Sequence, residues 1–387
     1  MERKSGEYLT SSTGGETYQA YIPAPLPPDP PLDLSGALLR ELEKANYSLG
    51  KLDTMAEVFP DINLFLYQYI RKEALLSSQI EGTQSSFSDL LLYEIDQLPG
   101  VPLDDTEEVS NYIAALNHGL QRLQTGFPLS LRLLKEIHSI LLRGSRGKNK
   151  QPGEFRQSQN WIGGSRPGNA VFVPPPPGRL MDCLGQLEIF LHTDSHEMPT
   201  LIKAGLSHIQ FETIHPFLDG NGRLGRLLIT LLLCHDQTLK QPLLYLSLYF
   251  KQHRADYYTY HQKVRQSGDW ETWLMFFLRG VIETAEQAIV AANNISKLFN
   301  KDREVINNLG RIAKSCQHVY AHLQENGIIA IKSTSQKTGI NRTTVNNCLA
   351  LLLENGIVEE LTGYKRNRLF VYKKYIQILA DSTDPIK

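Results

Sequence analysis

The run His215-Pro216-Phe217-Leu218-Asp219-Gly220-Asn221-Gly222-Arg223-Leu224-Gly225-Arg226 is a polar, glycine-rich stretch between two apolar helical patterns. Before it Ile202, Leu206 and Ile209 return at helical spacing, and after it Leu224, Leu227, Leu228 and Leu231 do. It therefore reads as a turn joining two helices. Gly220 and Gly222 permit backbone angles that aim successive N–H groups at one point, and the second helix adds the positive end of its dipole. Such a turn is an anion cradle. Arg223 and Arg226 share a face of the new helix, and their guanidinium groups suit phosphate oxygens. Asp219 offers a hard carboxylate of the kind that holds Mg²⁺ against substrate phosphates. His215, at the end of the preceding helix, is placed to accept a proton near neutral pH. Taken singly, each residue has an ordinary role as a turn signal, a core histidine or a solvated arginine. Together they make a base, a metal ligand and a phosphate clamp, which points to a nucleotide-using transferase.

The rest of the chain sets the frame for that loop. A length of 387 residues exceeds the roughly 250 to 300 at which one core stops growing, so two or three domains are expected. A hydrophobic content of 41%, a charged content of 21% and a net charge of -1 are ordinary for a globular protein and signal neither nucleic acid nor membrane globally. Met1 to Glu16 is polar, without the apolar core of a signal peptide, and the longest apolar run, Leu227 to Cys234, is far shorter than the about 20 residues of a membrane span. A cytoplasmic location is expected. Cys183, Cys234, Cys316 and Cys348 are scattered, which argues for free thiols.

Pro23 to Pro31 reads as an extended strap, since each proline removes a donor and fixes its own φ. Helical spacing starts at Leu38, and Asp61 to Glu81 carries Ile62, Leu66, Ile70 and Ala74 on one stripe, with Gly82 as its stop. A loop with Gly100, Pro102 and the acids Asp104, Asp105, Glu107 and Glu108 leads into helices through Leu123 and from Leu129 to Leu142. Trp161 to Gly164 and Ala170 to Val173 flank a Ser-Arg-Pro-Gly-Asn turn as two short strands of a hairpin would. Helices resume at Leu180 and dominate to about Phe299. Beyond residue 300 the charge changes sign, with 13 Lys plus Arg against 8 Asp plus Glu, so a separate C-terminal domain is expected. The chain thus divides into residues 1–100, 101–299 and 300–387.

The run from His215 to Arg226 resembles the His-Pro-Phe-x-(Asp/Glu)-Gly-Asn-Gly-Arg-x-x-Arg signature of the Fic domain family at every defined position. The resemblance spans roughly Leu32 to Asn294. It implies a mainly α Fic helical fold with a short β-hairpin flap, and a protein adenylyltransferase that moves AMP from ATP to a Ser, Thr or Tyr hydroxyl of a target protein and of itself. By that resemblance His215 deprotonates the hydroxyl and Asp219 holds Mg²⁺. Gly220, Asn221, Gly222, Arg223, Leu224, Gly225 and Arg226 line the phosphates, Arg226 orienting the γ-phosphate, and Tyr258 lies beside the adenine. Tyr257 and Tyr258 are equally open to a core role. The flap, residues 160–173, would align the target by strand addition.

Ser77-Ser78-Gln79-Ile80-Glu81-Gly82 is similar to the family's inhibitory pattern, (Ser/Thr)-x-x-x-Glu-(Gly/Asn). Its place before the core implies the subclass with an N-terminal inhibitory helix, in which Glu81 pairs with Arg226. A carboxylate at the negative end of a helix dipole also wants a cationic partner. The C-terminal part resembles a winged helix-turn-helix, with helices at Ser315 to Glu325 and from Asn341, and two strands around a basic tip at Lys365, Arg366 and Arg368. If it meets DNA, Arg342, Thr343, Asn346 and Asn347 would face the groove, though such modules also dock proteins. Two other readings stay open: a nucleotide-sensing DNA-binding regulator, and a hydrolase in which Glu81 activates water to remove AMP. The oligomeric state is left open, a homodimer included.

Overall fold

The computed structural model describes residues 3–13, 15–58, 62–93, 103–144, 147, 149–193, 197–363 and 367–385. It opens on a hairpin that the polar N-terminal composition did not announce. Strands β1 (Gly6–Thr13) and β2 (Glu16–Pro23) pair antiparallel, Gly6 opposite Pro23 and Thr13 opposite Glu16. Tyr18, Ala20 and Ile22 alternate inward along β2, and the proline strap follows as non-helical chain.

Five helices come next: α1 (Gly36–Val58), α2 (Ile62–Ile80), α3 (Phe87–Tyr93), α4 (Leu103–Gln124) and α5 (Leu131–Leu141). Gly100 and Pro102 of the expected loop lie outside the described residues. α2 is unusual, because every residue from Gln68 to Ile80 is buried although many are polar. Buried polar groups need partners, and α2 finds them on both sides. Glu73 accepts from Ser247 and Tyr112, Gln68 donates to the Glu325 carbonyl at 2.9 Å, and Gln79 donates to the Ser85 and Thr383 carbonyls at 2.8 Å. The helix is therefore gripped by the C-terminal part as well as by the centre.

The flap is smaller than the two strands expected for it. Only Ile162 and Phe172 form an antiparallel bridge, around a 3-10 turn at Pro167–Asn169. Gly163 and Gly164 both take positive φ, 69° and 72°, which breaks the ladder after one pair. On its far side the Val173 carbonyl accepts the Tyr21 N–H at 2.9 Å, so β2 runs alongside.

The centre is α6 (Pro177–Leu191), α7 (Thr200–Ile214), α8 (Asn221–His235), α9 (Ser247–Gln252), α10 (Arg254–Ser267) and α11 (Trp270–Asn307). α7 is buried from Leu201 to Ile214, so it forms the axis of the bundle. Gly205 lets α11 approach α7 closely: a Cβ there would lie 2.9 Å from Leu274 Cδ2, and Trp273 Nε1 donates to the Gly205 carbonyl at 2.9 Å.

α11 runs unbroken across residue 299, and the C-terminal elements pack on its second half. They are α12 (Ala313–Asn326), β3 (Ile328–Ala330), α13 (Ile331–Thr338), α14 (Arg342–Glu354), β4 (Glu359–Glu360), β5 (Leu369–Val371) and α15 (Lys373–Leu379). The small sheet is ordered β3-β5-β4. Gly339 makes the turn in left-handed conformation, and Asn341 caps α14 by accepting the Thr344 N–H at 2.8 Å. This is a winged helix. Of its expected basic tip, Lys365 and Arg366 lie outside the described residues, while Arg368 pairs with Glu360. Phe299 packs on Tyr320, Tyr372 and Tyr375, so one apolar core is continuous from Ile22 to Leu379. Among the described residues no helix is long and apolar enough to cross a membrane.

Candidate active site

The loop between α7 and α8 is shaped by its two left-handed residues. His215 ends α7 with φ 50°, and Gly220 precedes α8 with φ 75°. Asn221, the first residue of α8, turns its side chain back into the loop: Oδ1 accepts the Phe217 N–H and Nδ2 donates to the Phe217 carbonyl, both at 2.9 Å. It braces the turn, and what it can offer an anion is its backbone N–H. Gly222 and Arg223 follow in the same first helical turn, whose amides have no intrahelical acceptor. The Leu224 N–H is already bonded to the Gly220 carbonyl at 3.0 Å, and Gly225 packs against Glu212 and His208. Those two residues serve packing.

His138 on α5, which the sequence did not single out, holds the other side of the loop. Its Nδ1 accepts the Gly153 N–H at 2.8 Å, so Nε2 carries the proton it donates to the Asp219 carbonyl at 3.0 Å. The ring stacks on Phe217 with centroids 3.7 Å apart. Burial pushes His138 down to about 4, which keeps it neutral in this role.

His215 Nδ1 lies 3.3 Å from the Glu212 carbonyl, a contact that needs Nδ1 as the donor and leaves the Nε2 lone pair able to accept a proton. Burial pushes its pKa down to about 4, so the imidazole is neutral over the physiological range. The Glu212 carboxylate lies 4.0 Å from Nδ1 and is itself pushed up to about 7 by burial.

Arg226 faces away from solvent and is already occupied. Nε donates to Ser77 Oγ at 2.8 Å, while Nη2 donates to the Ser77 carbonyl at 2.9 Å and to Glu81 Oε1 at 2.6 Å. Glu81 sits just past α2, and Gly82 beyond it takes φ 107°. Burial opposes ionisation of Glu81, but the Arg226 guanidinium outweighs it and holds the carboxyl below its ordinary value. A Cβ built on Gly222 would stand 2.1 Å from Glu81 Oε1. The carboxylate thus rests on the glycine of the anion cradle, where an anionic ligand would lie.

Arg223 pairs with Glu108 of α4 at 2.9 Å and stands 3.6 Å from Asp219 Oδ1. Asp219 Oδ1 accepts the Gly220 N–H at 2.6 Å, and the side chain is 46% exposed. The two tyrosines separate clearly. Tyr257 is buried with its hydroxyl 2.7 Å from His208 Nε2, whereas Tyr258 is 42% exposed. Only Tyr258 is available to a ligand.

Family models meet these elements where the geometry does. The Fic/DOC family model matches residues 128–233, which hold α7, the loop and nearly all of α8, and the Fic/DOC family N-terminal model matches residues 39–121, which hold α2 and Glu81. The loop and Glu81 thus both lie in segments that are similar to the Fic/DOC family. A winged helix-turn-helix DNA-binding model matches residues 317–359. Among curated relatives, "Protein adenylyltransferase Fic" of Aedes aegypti is 29% identical over 255 residues, covering 64% of this chain and 48% of its own length. Its namesake in Culex quinquefasciatus is 30% identical over 221 residues, covering 56% of this chain and 41% of its own. The chain therefore spans about half, or less, of those relatives. A Fic family protein from Desulfovibrio desulfuricans shares the fold with a TM-score of 0.58 at 19% identity, over 88% of this chain and 97% of that one. A Fic domain signalling protein from Bacteroides thetaiotaomicron gives 0.50 at 18% identity, over 65% of this chain and 97% of that one.

Proposed function

We propose that this Fic protein is a protein adenylyltransferase that transfers AMP from ATP to a Ser, Thr or Tyr hydroxyl of a target protein and of itself, and that Glu81 holds it shut. The observation carrying this reading is the Glu81 carboxylate lying on Gly222 and bonded to Arg226 at 2.6 Å, inside a loop otherwise arranged for phosphate. The names of the two insect relatives support AMP as the transferred group.

In the reaction, His215 Nε2 takes the proton of the target hydroxyl as its oxygen attacks the α-phosphorus, and the bond to the leaving pyrophosphate breaks. Backbone amides of Asn221, Gly222 and Arg223 receive the phosphates at the start of α8. Arg226, freed from Glu81, binds the γ-phosphate, and Tyr258 flanks the adenine. A single half-exposed carboxylate beside substrate phosphates is a donor set that suits Mg²⁺, so Asp219 would hold it. When bound, Mg²⁺ neutralises charge on the phosphates. The flap at residues 160–173 holds the target. A hydrolytic Glu81 is less favoured, because its carboxylate is engaged by Arg226. For the C-terminal domain we infer duplex DNA as a partner, since Arg342, Thr343, Asn346 and Asn347 form an exposed polar face on α14.

The test is self-labelling with ATP carrying label on the α-phosphate. Glu81→Gly should label faster by about tenfold or more, equivalent to at least about 1.4 kcal/mol of latch free energy. Adding His215→Ala to it should remove about 10² to 10⁴ of that rate. No gain in Glu81→Gly would remove the brake, and a loss of AMP removal in that variant would favour the hydrolase.

A further inference from the structure

Four successive carbonyls at the start of the catalytic loop accept hydrogen bonds from one short segment, Arg156 to Asn160. Arg156 Nη2 reaches the Ile214 carbonyl at 3.4 Å, Nε the His215 carbonyl at 2.9 Å, and the Arg156 backbone N–H the Pro216 carbonyl at 2.9 Å. Asn160 Nδ2 donates to the Phe217 carbonyl at 3.0 Å. The same guanidinium also binds both stems of the flap, through the Ser158 carbonyl at 3.2 Å and the Pro175 carbonyl at 2.5 Å. Gln159 Nε2 adds the Pro174 carbonyl at 3.0 Å.

Arg156 is 2% exposed, and its hydrogen-bond partners among the described residues are all carbonyl oxygens. Burying a cation without a carboxylate is costly, and the negative end of the α7 dipole offsets that only in part. A fold that merely needed filling at this point would be better served by an apolar side chain. What the guanidinium adds is geometry: a planar fork with five donors can hold three strands of backbone at fixed separations, which an ammonium cannot.

We propose that Arg156 and Asn160 are positioning residues that lock the flap to the catalytic loop, fixing a docked hydroxyl relative to His215 Nε2. The assignment rests on the flap being the target's docking edge. Displacement of a reacting atom by about 1 Å costs on the order of a hundredfold in rate, so a clamp between the two surfaces is worth its burial. Because the clamp acts on the carbonyl side of the loop, it leaves the amide side free for nucleotide.

Arg156→Gln, Arg156→Lys and Asn160→Ala would be made in the full chain carrying Glu81→Gly. Self-labelling at saturating ATP should fall about tenfold or more in Arg156→Gln, with partial recovery in Arg156→Lys, while equilibrium affinity for Mg²⁺-ATP stays within about twofold. Asn160→Ala, a half-exposed site, serves if Arg156→Gln does not fold. Amide hydrogen exchange on the same proteins reads the clamp without any transfer. Residues 160–173 should exchange faster in the variants while α11 is unchanged. Unchanged exchange there, unchanged labelling, or labelling and ATP affinity falling together would overturn the clamp. Faster flap exchange with a Glu81→Gly parent that transfers nothing would uphold the clamp and sink the adenylyltransferase reading.

Discussion

Arg226 has two anionic claimants, a carboxylate in the present structure and a phosphate in the proposed reaction. The guanidinium is placed by Ser77, whose hydroxyl and carbonyl accept from it while Glu81 closes on it. The imidazole proposed as the base yields a pH prediction. Because burial holds His215 near 4, its neutral, proton-accepting form dominates at every pH above that value. The Glu81→Gly enzyme should therefore show no loss of kcat attributable to His215 between pH 8 and 6, declining only as pH falls toward 4. A limb centred near 6.5 would mean the imbalance caused by burial is absent in the working enzyme. The place of the loop between two helices was legible because histidine, aspartate and arginine rarely gather at helix-turn spacing for packing or solubility alone. Arg156, Asn160 and His138 were not, because their partners are carbonyls, which every residue carries and no sequence pattern marks.

Among the elements, the α7–α8 pair was readable from apolar spacing on either side of the loop, and α2 from its stripe and its glycine stop. The periodicity understated α2, though, since a stripe implies one buried face and the helix is buried all round from Gln68 to Ile80. The first hairpin and the extent of the flap were missed for opposite reasons. β1 and β2 are rich in Thr, Ser and Tyr around Gly-Gly, a signal masked by their polarity, whereas the flap carried aromatic and β-branched residues but broke at Gly163 and Gly164. The contact of α7 with α11 is testable. Gly205→Ala would gain about 1 kcal/mol in helix propensity but overpack Leu274 and Phe277 at a cost of about 1 to 3 kcal/mol, and the expected net loss is up to about 2 kcal/mol in urea unfolding. A net gain would show that those side chains can yield.

At the scale of the molecule, the change in charge after residue 300 was read as a boundary, and composition could not reveal that α11 crosses it without a break. The exposed face of α14 gives this unit its own prediction. Fluorescence anisotropy with duplex DNA should show affinity falling steeply with salt, and Arg342→Ala should weaken binding by about 1 to 3 kcal/mol if it reads a base, or lower the salt slope by about 1 if it meets phosphate. Binding that ignores both salt and Arg342 would leave the surface for a protein.

The burial of α2 from Gln68 to Ile80 constrains how the proposed brake could be released. From Gln68 to Ile80 the helix offers no exposed surface to pull on, and moving it would unpack both the centre and the C-terminal unit that hold Gln68 and Gln79. Glu81 lies one residue beyond, with its side chain 36% exposed. On the proposed reading of Glu81 as a brake, release would need no departing helix, only the swing of one carboxylate, a side-chain rotamer change rather than a partial unfolding. The closed and released states of the proposed brake would then be nearly superimposable in backbone, told apart by the torsion angles of a single side chain.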